Sequence, residues 1–117
     1  MGTDMPRMTA PTRAVLEVFL SDPDVPRYGL EIGAHAVLPS GTVHPILARL
    51  EGLGWLDSGW EDIDPSTVGR PRRRFYQMTA AGAEQAEAAI SAADARRSHL
   101  RTRRVTQLAP RFGPAQS

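Results

Sequence analysis

Three features of the sequence together predict a mainly α, α+β domain of the winged helix-turn-helix type. Three apolar-periodic helical segments follow one another between residues 9 and 54. An apolar stretch and an Arg-rich stretch then flank an acidic loop, as SGTVHPILARLEGLGWLDSGW passes through that loop to GRPRRRFYQMT. A long run of Ala, Glu, Gln and Arg closes the chain. The expected architecture is a two-stranded wing on a helical trio, with a long C-terminal dimerisation helix. The expected divisions are an N-terminal arm over 1–8, the winged domain over 9–79, the last helix over 80–104 and a flexible tail over 105–117.

Residues 1–8 lack periodicity and read as a flexible arm. Thr9 or Thr12 can cap the first helix, and Pro11 suits its first turn. Ala14, Val15, Leu16, Val18, Phe19 and Leu20 make it a core helix that ends at Ser21, before the turn signals of DPDVP. Tyr28 to Ala36 forms the second helix, with Tyr28, Leu30, Ile32 and Val37 as its apolar face. Gly29 and Gly33 weaken that helix and permit close packing. His35 reads as a surface residue. After the turn at Leu38 and Pro39, Ser40 caps the third helix. Val43, Ile46, Leu47 and Leu50 recur at helical spacing and face the core. Ser40, Thr42, His44 and Arg49 are left to face outward. Pro45 lies early enough in the helix to be tolerated or to kink it slightly, and Gly52 or Gly54 ends it.

Trp55 to Trp60 is the first wing strand, Glu61 to Gly69 the loop, and Arg70 to Met78 the return strand. Alternation along that return strand gives it an Arg-bearing exposed face. Phe75, Tyr76 and Met78 supply core contacts. Thr79 caps the last helix, in which Ala86, Ile90, Ala93, Arg97 and Leu100 step by fours and threes. Such a seam suits packing on the domain or on a second copy of the helix. If it makes a dimer, a chain ending at Ala81 is expected to be a monomer.

Composition narrows the function classes. The chain of 117 residues has no cysteine, so disulfides and thiolate metal sites are excluded. No apolar run approaches the roughly 20 residues of a membrane span, and the N-terminus lacks a signal pattern. These readings predict a soluble, cytoplasmic protein that does not engage a membrane. Lysine is absent and all 14 basic residues are Arg, over the whole length, which fits the codon usage of a GC-rich genome. The net charge of +1 hides a division. Residues 1–66 carry 4 Arg against 10 Asp or Glu, a balance of −6, and residues 67–117 carry 10 Arg against 3 acids, a balance of +7. Charge asymmetry of this kind suggests a polyanion for the basic part. Two solvated faces of opposite sign are the plainer explanation.

Placement of the arginines favours the polyanion. In a helix-turn-helix the second helix of the pair enters the major groove by its N-terminal end. Here that end offers Ser40, Gly41, Thr42 and His44, with Arg49 further along. The wing adds Arg70, Arg72, Arg73 and Arg74, a strong electrostatic footprint beside a groove-docking helix. Tyr28, at the start of the second helix, joins these DNA-contact candidates. The alternative is that the wing arginines pair with Glu61, Asp62 and Asp64 across the hairpin.

From Tyr28 through Gly82 the chain resembles the PadR family of bacterial transcription factors. The resemblance rests on YGLEI, the SGTVHPILARLEGLGWLDS block, Trp60–Glu61, GRPRRRFYQMT and the TAAG at Thr79 to Gly82. It covers roughly half the chain, and only the combination is specific. It implies a homodimer that represses transcription at an inverted-repeat operator of double-stranded DNA and is released by a small molecule or another signal. It also implies that Ser40, Thr42 and His44 are recognition-helix contacts and that Arg70 and Arg72 to Arg74 are wing contacts. His44 departs from the family's usual Tyr, and the short C-terminal part resembles the small subfamily with one long dimerisation helix.

Two other classes compete. Winged helices also serve as protein-docking folds, and fold does not fix function. An acidic or apolar exposed helix face would favour docking over DNA. Catalysis has only His35, His44 and His99 with scattered acids, without triad or metal-ligand spacing, so neither an enzyme nor a metal or cofactor site is expected. Trp55 and Trp60 read as hairpin packing rather than as a ligand pocket.

Overall fold

The computed structural model describes residues 6–108. Helix α1 spans Ala10–Leu20, capped by Thr9, whose hydroxyl accepts the Thr12 N–H at 3.3 Å. Strand β1 is Arg27–Tyr28, α2 is Gly29–Ala36 and α3 is Ser40–Gly52. Strand β2 is Leu56–Trp60, the short α4 is Pro65–Val68, β3 is Arg74–Met78 and α5 is Ala80–Leu108. The strands form one antiparallel sheet in the order β1-β3-β2, with Arg27 opposite Tyr76 and Ser58 opposite Tyr76 on the other side.

One core joins every layer. Val15, Leu16 and Phe19 of α1, Ile32 of α2, and Val43, Leu47 and Leu50 of α3 meet Trp55, Leu56, Tyr76 and Met78 of the wing base. Ala86 of α5 completes the cluster. The 3.6-residue period of α1 and α3 delivers these side chains to one face, as hydrophobic burial requires. Thr79 joins the wing to α5. Its hydroxyl accepts the Gly82 N–H at 2.8 Å and donates to the Gly54 carbonyl at 2.9 Å. Gly54, at φ +79°, is the residue that turns the chain out of α3.

Several expectations are corrected. The sheet has three strands, because β1, too short to carry a period, pairs with β3. Tyr28 therefore stands outside α2 and precedes it, its N–H donating to Glu31 Oε1 at 3.2 Å. Leu30 and Val37 are 79% and 84% exposed, so only Ile32 forms the buried face of α2. Ser40 does not cap α3. Pro39 holds that position, its carbonyl accepting the N–H groups of Thr42 and Val43 at 2.9 and 3.1 Å. The acidic loop contains α4, started by Asp64, which accepts from Ser66 and Thr67.

The ends also differ. Pro6 is buried and Met8 packs against the core, so this part of the expected arm is docked. Residues 105–108 of the expected tail are helical. Residues 1–5 and 109–117 of the expected arm and tail lie outside the described residues.

Candidate nucleic-acid interface

Burying Val43, Leu47 and Leu50 sends the opposite side of α3 to the surface. Gly41, His44, Pro45, Ala48 and Arg49 are exposed there, with Ser40 at its start and Thr42 half-buried. Pro45 and Ala48 were missed among the sequence candidates, although stepping by threes and fours from Gly41 reaches both. Pro45 has no N–H to donate, so the Gly41 carbonyl is left without its partner in the helical ladder. His44 turns toward the start of α2. A Cβ added at Gly29 would stand 3.2 Å from His44 Cε1, so the absence of a side chain there makes room for the imidazole. Tyr28, Leu30, His44, Arg73, Arg74 and Tyr76 line a cleft of about 310 Å³ between α2, α3 and the wing.

Glu61 organises the wing loop. Its carboxylate takes both guanidinium nitrogens of Arg70 at 2.7 and 2.9 Å and the Arg73 N–H at 3.2 Å. Its own N–H donates to the Arg73 carbonyl at 2.9 Å. The Arg70 hydrogen bonds hold the Glu61 carboxyl down at about 2, against the usual 4.5, with Arg73 adding to the effect. Because the folded value is the lower one, the contribution to loop order is full above about 4.5 and is lost as pH falls through about 2. The Arg73 amide resonance should therefore titrate in that acid window, and in Glu61→Gln it should not. Equal titration in both proteins would remove Glu61 from this role.

The four wing arginines have different duties. Strand β3 starts only at Arg74, so Arg70, Arg72 and Arg73 lie in the loop and the expected strand alternation does not arrange them. Arg70 is committed to Glu61, the pairing that competed with phosphate contact in the sequence reading. Arg73 stacks over the Tyr28 ring at 5.0 Å and also approaches Glu61 at 3.6 Å. Arg74 lies over Trp60 at 5.3 Å and donates to Ser58 Oγ at 2.7 Å. Arg72 gives its Nε to the Ile63 carbonyl at 2.9 Å, which leaves the outer guanidinium edge exposed. Asp64 is used within α4, not for an arginine.

The pattern of the transcriptional regulator PadR-like family matches residues 18–88. The chain belongs to the PadR-like family of transcriptional regulators. No curated protein matches it in sequence. Among solved structures, a PadR family transcriptional regulator from Eggerthella lenta DSM 2243 is 24% identical with a TM-score of 0.56, over 85% of this chain and 83% of that one. Reduced AbfR bound to DNA is 27% identical with a TM-score of 0.58, over 75% of this chain and 58% of that one. AbfR is from Staphylococcus epidermidis. The S. aureus MepR–DNA complex shares the fold at 17% identity and a TM-score of 0.57, over 86% of this chain and 77% of that one.

In this PadR-like chain the proposed dimer seam divides along α5. Ala86 is fully buried in the protein's own core, and Ile90 packs against that core, so both are occupied within the chain. Arg13 of α1 clamps Asp94 with two hydrogen bonds, one of them 3.0 Å, and holds its carboxyl below the usual range. Ala93 is half-buried, and from Asp94 through Thr106 every side chain is exposed, including Arg97 and the 59% exposed Leu100. Among the described residues no three His, Asp or Glu side chains cluster to hold a metal, and no helix is long and apolar enough to cross a membrane. His35, His44 and His99 lie on α2, α3 and α5 respectively.

Proposed function

We propose that this PadR-like regulator binds double-stranded operator DNA as a homodimer, with α3 in the major groove and the wing against the backbone. Repression of transcription from an inverted-repeat operator, relieved by a small molecule or another signal, is the regulatory reading. That role would put the protein in the cytoplasm. The observation that carries the proposal is the exposed α3 face, with Ser40, His44 and Arg49, standing beside the exposed Arg72 to Arg74. The DNA-bound state of AbfR, 27% identical, supports it. Ser40, Gly41, Thr42 and His44 are the candidates for reading bases, with Tyr28, Arg49, Arg72, Arg73 and Arg74 for the backbone. Arg70 is moved from phosphate contact to support of the loop through Glu61. A dimer would use the half-buried Ala93 with the exposed Arg97 and Leu100, and the inner Ala86 and Ile90 would be left to the domain.

Titration of the promoter-region duplex upstream of the chain's own coding sequence, at several salt concentrations, tests this reading. Arg72→Ala should weaken binding across sequences and reduce the slope of log affinity against log salt by about 1. Arg70→Ala should leave the slope close to that of the parent. An unchanged slope for Arg72→Ala would remove the wing from the interface. The docking-module reading is favoured by one observation, the exposed apolar side chains of Leu30 and Val37.

A further inference from the structure

The turn between α2 and α3 holds Val37 at φ 58°, ψ 52°, in the left-handed region. Among the described residues it is the only one besides glycine with positive φ. A β-branched side chain is poorly suited to that conformation, which glycine or asparagine adopts more readily. The backbone holds it there through the N–H groups of Val37 and Leu38, both donated to the Gly33 carbonyl. The strained residue gains nothing from burial, because its isopropyl group is 84% exposed. Two turns of helix away, Leu30 is 79% exposed. The two flank a groove whose wall is mostly apolar and which runs through Ala34 and Pro39 to Ser40. Ser40 is also the first residue of the groove-reading helix, so the apolar groove and the α3 face form one surface.

We propose that Leu30 and Val37 form an apolar clamp that packs on the deoxyribose edges of the operator backbone, next to where the start of α3 enters the major groove. The inference rests on the DNA-binding reading above and deepens it. A duplex backbone alternates charged phosphates with apolar sugar faces. The wing supplies cations for the first, and Leu30 with Val37 supplies hydrocarbon for the second. The contact is independent of base sequence, and because sugars carry no charge it releases no counterions. It therefore adds affinity without adding to the salt dependence.

The test measures unfolding and DNA binding in the same variants, using the promoter-region duplex and a duplex of unrelated sequence. Val37→Asn should unfold at the parent's temperature or above, since asparagine tolerates the left-handed backbone better. Its affinity for both duplexes should nevertheless fall about three- to tenfold, as expected from losing part of one aliphatic side chain's burial. Leu30→Ala, at an exposed position, should lose affinity to a similar extent. Both should keep the parent's salt slope, whereas Arg72→Ala lowers it. Parent-like affinity in Val37→Asn and Leu30→Ala, with Arg72→Ala still weakened, would overturn the clamp and leave the DNA reading intact. Retained affinity with altered sedimentation would assign the groove to a second copy and also overturn it. Failure of the parent chain to bind either duplex would overturn the DNA reading and the clamp with it.

Discussion

Gly82→Ala is expected to destabilise the fold by about 3 kcal/mol, through overpacking at a site with no room to relax. A Cβ at position 82 would stand 2.2 Å from the Trp55 carbonyl oxygen and 2.7 Å from the Trp55 Cα. Those atoms are backbone and cannot turn away. The same carbonyl accepts the Thr79 N–H at 3.0 Å, a bond that ties the end of the return strand to the residue before β2. Gly82 also gives its own N–H to the Thr79 hydroxyl that starts α5. Moving either segment would break the cap or displace Trp55, which is 2% exposed. The midpoint of denaturant unfolding should fall with little change in slope, and the melting temperature should drop by roughly 10–20 °C. Gly52→Ala is the control, since a Cβ there meets nothing within 4 Å. Parent-like stability of Gly82→Ala would mean that α5 does not sit against Trp55 in this way.

The second large effect concerns α5. A chain ending at Ala95 should stay folded and sediment as a monomer, while the full chain sediments as a dimer. The cut keeps Gly82, Ala83, Ala86 and Ile90 on the core and keeps the Arg13–Asp94 clamp. It removes only helix whose described side chains are exposed. A helix of roughly a dozen residues without a packing surface is marginal in water. The 29-residue α5 should therefore gain its distal stability from a partner. The earlier cut at Ala81 is a poor test, because it also deletes Ala86 from the core and would unfold the domain. A dimer that survives the cut at Ala95 would move the interface to another face.

The candidate site was legible where its signals are local. Val43, Leu47 and Leu50 repeat at helical spacing, so their burial followed from the pattern, as did the exposure of His44 and Arg49. Thr79 capped α5 as its position before an Ala-rich run suggested. Pro45 and Ala48 were equally accessible to that arithmetic but carry no charge or donor to draw notice. The wing was less legible. Four clustered arginines read as one patch, yet Glu61 engages Arg70, Tyr28 stacks under Arg73 and Trp60 under Arg74. Those partners come from other parts of the chain, and a charge count cannot assign them.

Leu30 and Val37 were misplaced for a related reason. Apolar type at helical spacing predicts burial only when another element covers that side, and here α1 and α3 meet α2 through Ile32. The seam of Ala86, Ile90, Ala93, Arg97 and Leu100 is continuous in sequence but divides in space where α5 leaves the domain. The sequence by itself determined the order of the long helices and the two wing strands, the core faces of α1 and α3 and the family, because periodicity, caps and turn residues act between near neighbours. Only the tertiary structure decided which arginines face solvent, which half of α5 remains uncovered and why Gly82 has no room for a side chain. Those outcomes depend on distances between segments remote in sequence, which short-range patterns do not encode.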